Sequence, residues 1–173
     1  MLQLSNLFYD RKILSLQNGL QIGVAVMPLI DPNNLKIEGW FVNVRGEKEQ
    51  LILLVSQVRD LVHKGLVVDD YDSLSMAEDL VRFKEIISLK FSLLNKEVVE
   101  ENGSKIGRVK DFSVDEQSMY IKKLYVQPSS LLSITKNVRL IDRDQIVEIT
   151  DKKIVIKSGL EKLNSTATAP ASA

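Results

Sequence analysis

The chain has 173 residues, 45% of them hydrophobic and 27% charged, the length and composition of a globular protein with one domain or two small ones. Its 23 basic residues balance 23 acidic ones, so net charge advertises neither nucleic acid nor an anionic membrane surface. With no cysteine and a single histidine, His63, disulfides, thiolate nucleophiles, cysteine-bearing metal sites and a multi-histidine metal site are excluded.

The opening residues, Met1 to Asp10, lack a basic stretch followed by an apolar one, so no secretory leader is expected. Short β-branched or aromatic runs follow at Val24–Val26, Ile37–Val44, Leu51–Val55 and Leu66–Val68. The most apolar of them, Leu51–Val55, falls far short of the roughly 20 residues that a membrane helix needs. A cytoplasmic address is expected. Asn18-Gly19 is a hairpin signal, because both residues accept positive φ, and Asp31-Pro-Asn-Asn34 reads as a turn. From Ser75 the spacing changes. Met76, Leu80, Phe83 and Ile87 recur at helical intervals with charged residues between them, behind a capping-box sequence at Ser75 to Glu78. One amphipathic helix is expected over 75–88.

The second half returns to β character at Ile106–Phe112, Met119–Val126, Val138–Ile141, Val147–Ile149 and Ile154–Ile156. Its turns are Asn102-Gly103, Asp115–Ser118 and Asp151–Lys153. From Asn164 the residues are small and mostly polar, and a disordered tail is expected over 161–173.

The two halves are copies. Asn18-Gly-Leu-Gln-Ile-Gly23 returns as Asn102-Gly-Ser-Lys-Ile-Gly107. The same alignment sets Asp31 on Asp115, Leu35 on Met119, Ile37 on Ile121, Phe41 on Tyr125 and Val42 on Val126. After a small difference in loop length, Ser56–Val58 matches Asp144–Ile146 and Leu66–Val68 matches Ile154–Ile156. Short strands spaced by turn residues favour a sheet closed on itself over parallel strands with crossover helices. The fold expected is therefore mainly β: two small SH3-like antiparallel barrels in tandem, at 1–74 and 89–160, joined by the helix. Gly23 and Gly107 should mark bulges or tight corners. Each barrel alone buries a marginal core, so packing into one unit is expected.

The second copy carries a resemblance. Phe91 to Val99, then Asn102-Gly-Ser-Lys-Ile-Gly-Arg-Val-Lys-Asp111, then Val114-Asp115, is similar to the opening of PRC-barrel domains. Arg143–Ile146 followed by Glu148-Ile149 looks like the short helical turn before the last strands of that family. Asn95 departs from the glycine usual there, and the first copy is more worn. The resemblance implies a docking or scaffold module. The domain occurs in the photosynthetic reaction-centre H subunit and in a ribosome maturation factor that engages a ribosomal protein. No catalytic residues define the family, so none is carried over.

Individual residues point to no reaction. His63 has Asp60 and Asp69 nearby but no nucleophile to activate. Asp69-Asp-Tyr-Asp72 lacks the glycine and terminal glutamate of a calcium loop, and no phosphate-cradling glycine motif occurs. No catalytic residue, metal or cofactor is expected. The second copy does concentrate cations, and Lys105, Arg108, Lys122 and Lys123 are the partner-binding candidates if paired strands gather them on one face. The leading expectation is a non-enzymatic interaction or scaffold protein of a prokaryotic cytoplasm. The alternative is a ribosome- or RNA-associated factor using that basic face.

Overall fold

A computed structural model describes residues 1–63, 65–128 and 138–158. The chain opens with a short strand, β1 (Leu2–Leu4), and a 3-10 turn at Ser5–Phe8. The first barrel then runs through β2 (Arg11–Ser15), β3 (Gln21–Asp31), β4 (Lys36–Asn43), β5 (Leu51–Leu54), β6 (Val58–Val62) and β7 (Gly65–Val68). A two-residue strand, β8 (Leu74–Ser75), and a six-residue helix, α1 (Lys84–Leu89), lead to the second barrel. That barrel comprises β9 (Glu97–Glu100), β10 (Lys105–Asp115), β11 (Ile121–Pro128), β12 (Arg139–Asp142), β13 (Ile146–Ile149) and β14 (Lys153–Ile156).

The two curled sheets share one plan. Strands run in the order β6-β7-β2-β3-β4-β5 in the first and β13-β14-β9-β10-β11-β12 in the second. Among the described residues each contains a single parallel pair, β2 with β7 and β9 with β14. The register shifts recur as well. The ladder slips between Ala25 and Met27 and between Leu29 and Ile30, and correspondingly between Val109 and Asp111 and between Ser113 and Val114. Bulges at matching places bend long strands so that one hairpin wraps both faces of a small core. Both crossings from fourth to fifth strand are 3-10 turns, Val55–Gln57 and Arg143–Gln145.

Local chemistry accounts for the turns. Gly19 and Gly103 take φ of 70° and 87°, and the Asn18 and Asn102 side chains accept from the N–H two residues on at 2.9 and 2.8 Å. Gly107 sits at the slip between Lys105 and Gly107, where a β-carbon would stand 2.0 Å from the Gln127 carbonyl oxygen. Asn95 keeps the bend usually made by glycine, with φ of 66°, which asparagine tolerates better than most residues.

One apolar cluster runs through both barrels, including Phe8, Ile13, Trp40 and Leu66 from the first and Leu93, Val98, Phe112 and Ile154 from the second. Trp40 is fully buried, donates its indole N–H to the Phe8 carbonyl at 3.1 Å and stacks on the Phe8 ring. Tyr9 packs edge-on against Phe112 across the junction. Burial pushes its phenol pKa up. Residues β1 to Tyr9 thus staple the barrels, since Leu2–Leu4 pairs with the Ser113–Asp115 end of β10 while Phe8 fills the first core.

The linker differs from the helix expected over 75–88. Ser75 pairs with Ile52 as part of β8, two 3-10 turns occupy Ala77–Asp79 and Val81–Phe83, and only Lys84–Leu89 is α-helical. The capping box does not form, because the strand pairing holds Ser75 extended and Met76 takes the cap position without a side-chain bond. Leu80, with ψ of 61°, separates the turns. Three of the four stripe residues still pack, since Leu80, Phe83 and Ile87, joined by Ile86, lie against Leu29, Phe41 and Ile52 on the outside of the first barrel, whereas Met76 is exposed. The tail expected at 161–173 lies outside the described residues.

Candidate interaction surface

A local two-fold relation joins the barrels. Leu35 and Met119 end equivalent turns with φ of 53° and 58°, and both are buried. Left-handed backbone costs a non-glycine residue about 1 kcal/mol or more. Here it aims the next peptides across the seam. Ile37 N–H donates to the Met119 carbonyl at 2.9 Å, and Ile121 N–H donates to the Leu35 carbonyl at 2.8 Å. Lys36 and Tyr120 form the isolated antiparallel bridge between these bonds. The reciprocal hydrogen bonds and the burial of both side chains offset the strain.

The outward faces are where the copies part. Register equates Met27, Leu29, Phe41, Ile52 and Leu54 with Asp111, Ser113, Tyr125, Leu140 and Asp142. The first set is roofed by the linker. In the second set Ser113 is buried and Asp111 accepts from the Ser5 N–H at 3.2 Å, but among the described residues no linker covers Leu140. Ile52 is 1% exposed, and its counterpart Leu140 is 46% exposed. Leu4 and Leu2, on β1 and separated from β12 by β10 and β11, are 45% and 49% exposed. An open cleft of about 580 Å³ begins beside them, lined by Leu2, Lys122, Lys123, Asp142, Arg143 and Asp144.

The four candidate cations are not gathered into one patch. Lys105 and Arg108 lie at the start of β10, opposite Val99 and Glu97 of β9. Lys123 stands opposite Ser113 at the other end, roughly 17 Å from Arg108 at about 3.4 Å per residue. Lys105 pairs with Glu97 at 3.0 Å, Arg108 donates to the Asn95 carbonyl at 2.9 Å, and Lys123 pairs with Asp142 at 3.1 Å. Lys122 extends over the Tyr120 ring at 5.8 Å. Arg143, which sequence reading took only as part of a turn, lies over the same ring at 4.6 Å. Its arginine-over-tyrosine placement depends on the seam fixing Tyr120, and no local spacing announces that. Trp40 and Tyr125, near neighbours in the repeat alignment, differ by one register step and so face opposite ways, Trp40 into the core and Tyr125 outward.

The other residues weighed from sequence have structural roles. His63 is exposed, and its carbonyl accepts from the Arg11 guanidinium at 2.6 Å. Asp69 forms a two-pronged pair with Arg59, whose hydrogen bonds hold the Asp69 carboxyl below its usual range. Asp70 caps the turn at Tyr71–Ser73. Among the described residues, no three acidic or histidine side chains cluster as a metal would require, and no helix is long and apolar enough to cross a membrane.

The family model for the PRC-barrel domain matches residues 90–163. This segment is a PRC-barrel domain. The first barrel, outside that match, repeats the strand order and bulges of the PRC barrel. Among solved structures, the chain is similar to one described as a 16S ribosomal RNA processing protein, RimM, of Pseudomonas aeruginosa. The identity is 18%, over 92% of this chain and 99% of that one, with a TM-score of 0.33. No curated protein matches the chain.

Proposed function

We propose that this chain is a non-enzymatic protein-interaction module in which the PRC barrel presents its outer face to a partner and the first barrel serves as its rigid support. The observation that carries this reading is the contrast between equivalent positions: Ile52 lies under the chain's own linker while Leu140 is open to solvent. Exposed aliphatic groups beside Tyr125, rimmed by Lys123 and Asp142, have the make-up of a modest interface centre with a polar border. Residues 1–74 and 89–160 are taken as the two units, and a prokaryotic cytoplasm as the setting.

Capture of the tagged chain from its native lysate tests the reading, with Leu140→Glu and Lys105→Glu run in parallel. A protein retained at high salt by wild type and Lys105→Glu but lost with Leu140→Glu is the expected result. The alternative, a ribosome- or RNA-associated factor, draws on Lys122 and Arg143, neither of which has a carboxylate within ion-pair distance among the described residues. Against it, Lys105 and Lys123 are already neutralised by Glu97 and Asp142. Co-sedimentation with ribosomes that washes away at high salt, whatever residue stands at 140, favours the alternative and overturns the scaffold reading.

A further inference from the structure

An asparagine followed by glycine is open to attack by its own backbone, because glycine has no β-carbon to shield its nitrogen or restrict its dihedrals. The chain carries this dipeptide at matching tips, Asn18-Gly19 and Asn102-Gly103. In both, the glycine N–H is bonded across the turn, from Gly19 to the Ser15 carbonyl at 2.9 Å and from Gly103 to the Glu100 carbonyl at 2.8 Å. In both, the asparagine Oδ1 accepts from the N–H two residues on. The carboxamide nitrogens differ. Asn102 Nδ2 donates to Glu100 Oε2 at 3.0 Å, and Glu100 is only 7% exposed. The Asn102 N–H is tied as well, to Ser158 Oγ at 3.3 Å. At the first tip the repeat alignment sets Leu16 in place of Glu100, and no charged residue lies between Ser15 and Gln21. Leu16 and Leu20 are 61% and 63% exposed. Opening this tip uncovers little new apolar surface, which places it at the low-cost end of local unfolding.

We propose that Asn18 is a site of spontaneous deamidation on the folded protein and that Asn102, in the same dipeptide, is protected by Glu100. Solvent hydroxide takes the Gly19 N–H proton, the nitrogen forms a bond to Asn18 Cγ, and the Cγ–Nδ2 bond breaks. Nδ2 leaves as ammonia with a proton from water, and a five-membered succinimide remains. Water then opens the ring. Cleavage between Gly19 N and Cγ gives aspartate. Cleavage between Gly19 N and the main-chain carbonyl carbon gives isoaspartate, with one more methylene in the chain. At Asn102 the first step builds negative charge beside a carboxylate, which like-charge repulsion disfavours. Its carboxamide must also leave that carboxylate before it can swing toward Gly103 N. The β2–β3 ladder from Arg11–Ala25 to Ile13–Gly23 lies inside the first tip. The modified chain therefore keeps its barrel and gains a carboxylate at the exposed end of it.

The full chain is held folded in near-neutral buffer made with heavy-oxygen water, then digested, and the two peptides are weighed over time. A urea-unfolded sample is the reference. Label should enter Asn18 at least tenfold faster than Asn102 in the folded chain, and at equal rates in the unfolded one, with isoaspartate among the products. Glu100→Leu, which gives the second tip the residue of the first, should speed Asn102 several-fold. Equal rates at the two sites of the folded chain overturn the proposal. So does an unlabelled Asn18 after the unfolded chain is fully converted. An unchanged Asn102 rate in folded Glu100→Leu overturns the protecting role of Glu100. If that variant does not fold, the wild-type ratio decides alone.

Discussion

The two barrels agree inside and disagree outside. Ala25 and Val109, Ile30 and Val114, Ile37 and Ile121, and Val42 and Val126 are equivalent pairs, and every member is buried. Outward, Met27 becomes Asp111 and Leu54 becomes Asp142. The contrast follows from what each position touches. An inward side chain is held by the close-packed core that both copies share, where even a methylene is felt. An outward one answers only to whatever lies on top of it. The first barrel is covered by residues 76–89, so its outer face is apolar. On the PRC barrel the Ser5 N–H meets Asp111 and Ser113 is buried, while Leu140 stays exposed, so its outer face is mixed.

The largest effect tests the claim that there is one core rather than two. Trp40→Ala removes a fully buried ring and leaves the Phe8 carbonyl without its donor, a loss of about 3–5 kcal/mol. Because the cluster is continuous, tryptophan-free unfolding followed by far-ultraviolet circular dichroism should remain a single transition at lower denaturant. Two separated transitions, with the PRC barrel unchanged, would break the comparison into independent halves.

Glycine at the first bulge sharpens the equivalence. A β-carbon at Gly107 meets the Gln127 carbonyl oxygen at 2.0 Å, whereas at Gly23 the nearest atoms stand at 3.0 Å. Gly107→Ala should cost about 1–3 kcal/mol through forced backbone movement, and Gly23→Ala less than about 1 kcal/mol. Equal losses in urea titration would mean that the corners are closed alike.

How much of this was readable before the structure depends on the distance over which each feature is decided. The repeat was legible residue by residue: the register makes Phe41 and Tyr125 equivalent, and Leu35 and Met119 close matching turns by donating to the Asp31 and Asp115 carbonyls. Asn-Gly turns are decided within four residues and read well. The linker did not, because Ser75 is claimed by Ile52, a partner remote in sequence, before a helix can use it as a cap. Nor did the gathering of Lys105, Arg108, Lys122 and Lys123, since placing cations on paired strands says nothing about how far apart along the ladder they fall. β1 was invisible for the same reason. Leu-Gln-Leu has no signal of its own, and its partner lies at Ser113–Asp115.

A smaller perturbation asks whether the linker is a roof or a structural member. Phe83 packs half-buried against Leu29, Phe41 and Ile52. Phe83→Ala should cost about 1–2 kcal/mol, less than a core aromatic because much of the ring is already wet. It should also raise binding of an apolar dye while the amides of the PRC barrel keep their protection. Loss of protection in β10 and β11 as well would make the linker part of the shared core.

The smallest expected effect lies at the tips of the two central hairpins. Asp115 accepts from the Ser118 hydroxyl and N–H, and the hydroxyl bond is the main reason its carboxyl is held below the ordinary range. A carboxylate with a depressed folded-state pKa contributes stability that is complete above its unfolded value, near 4. That contribution disappears as pH falls through the folded value. Ser118→Ala should therefore lower the unfolding midpoint slightly at pH 7, and the difference should shrink as pH falls through the folded-state value and vanish once wild type and variant are both protonated. Asn34 is the counterpart in the first barrel, and its side chain accepts from Lys36 N–H rather than donating to Asp31. Asn34→Ala should shift the midpoint by an amount that does not follow carboxylate protonation. If both variants instead lose their effect together on acidification, the two tips are electrostatically alike, and the divergence of the copies is confined to the strand faces.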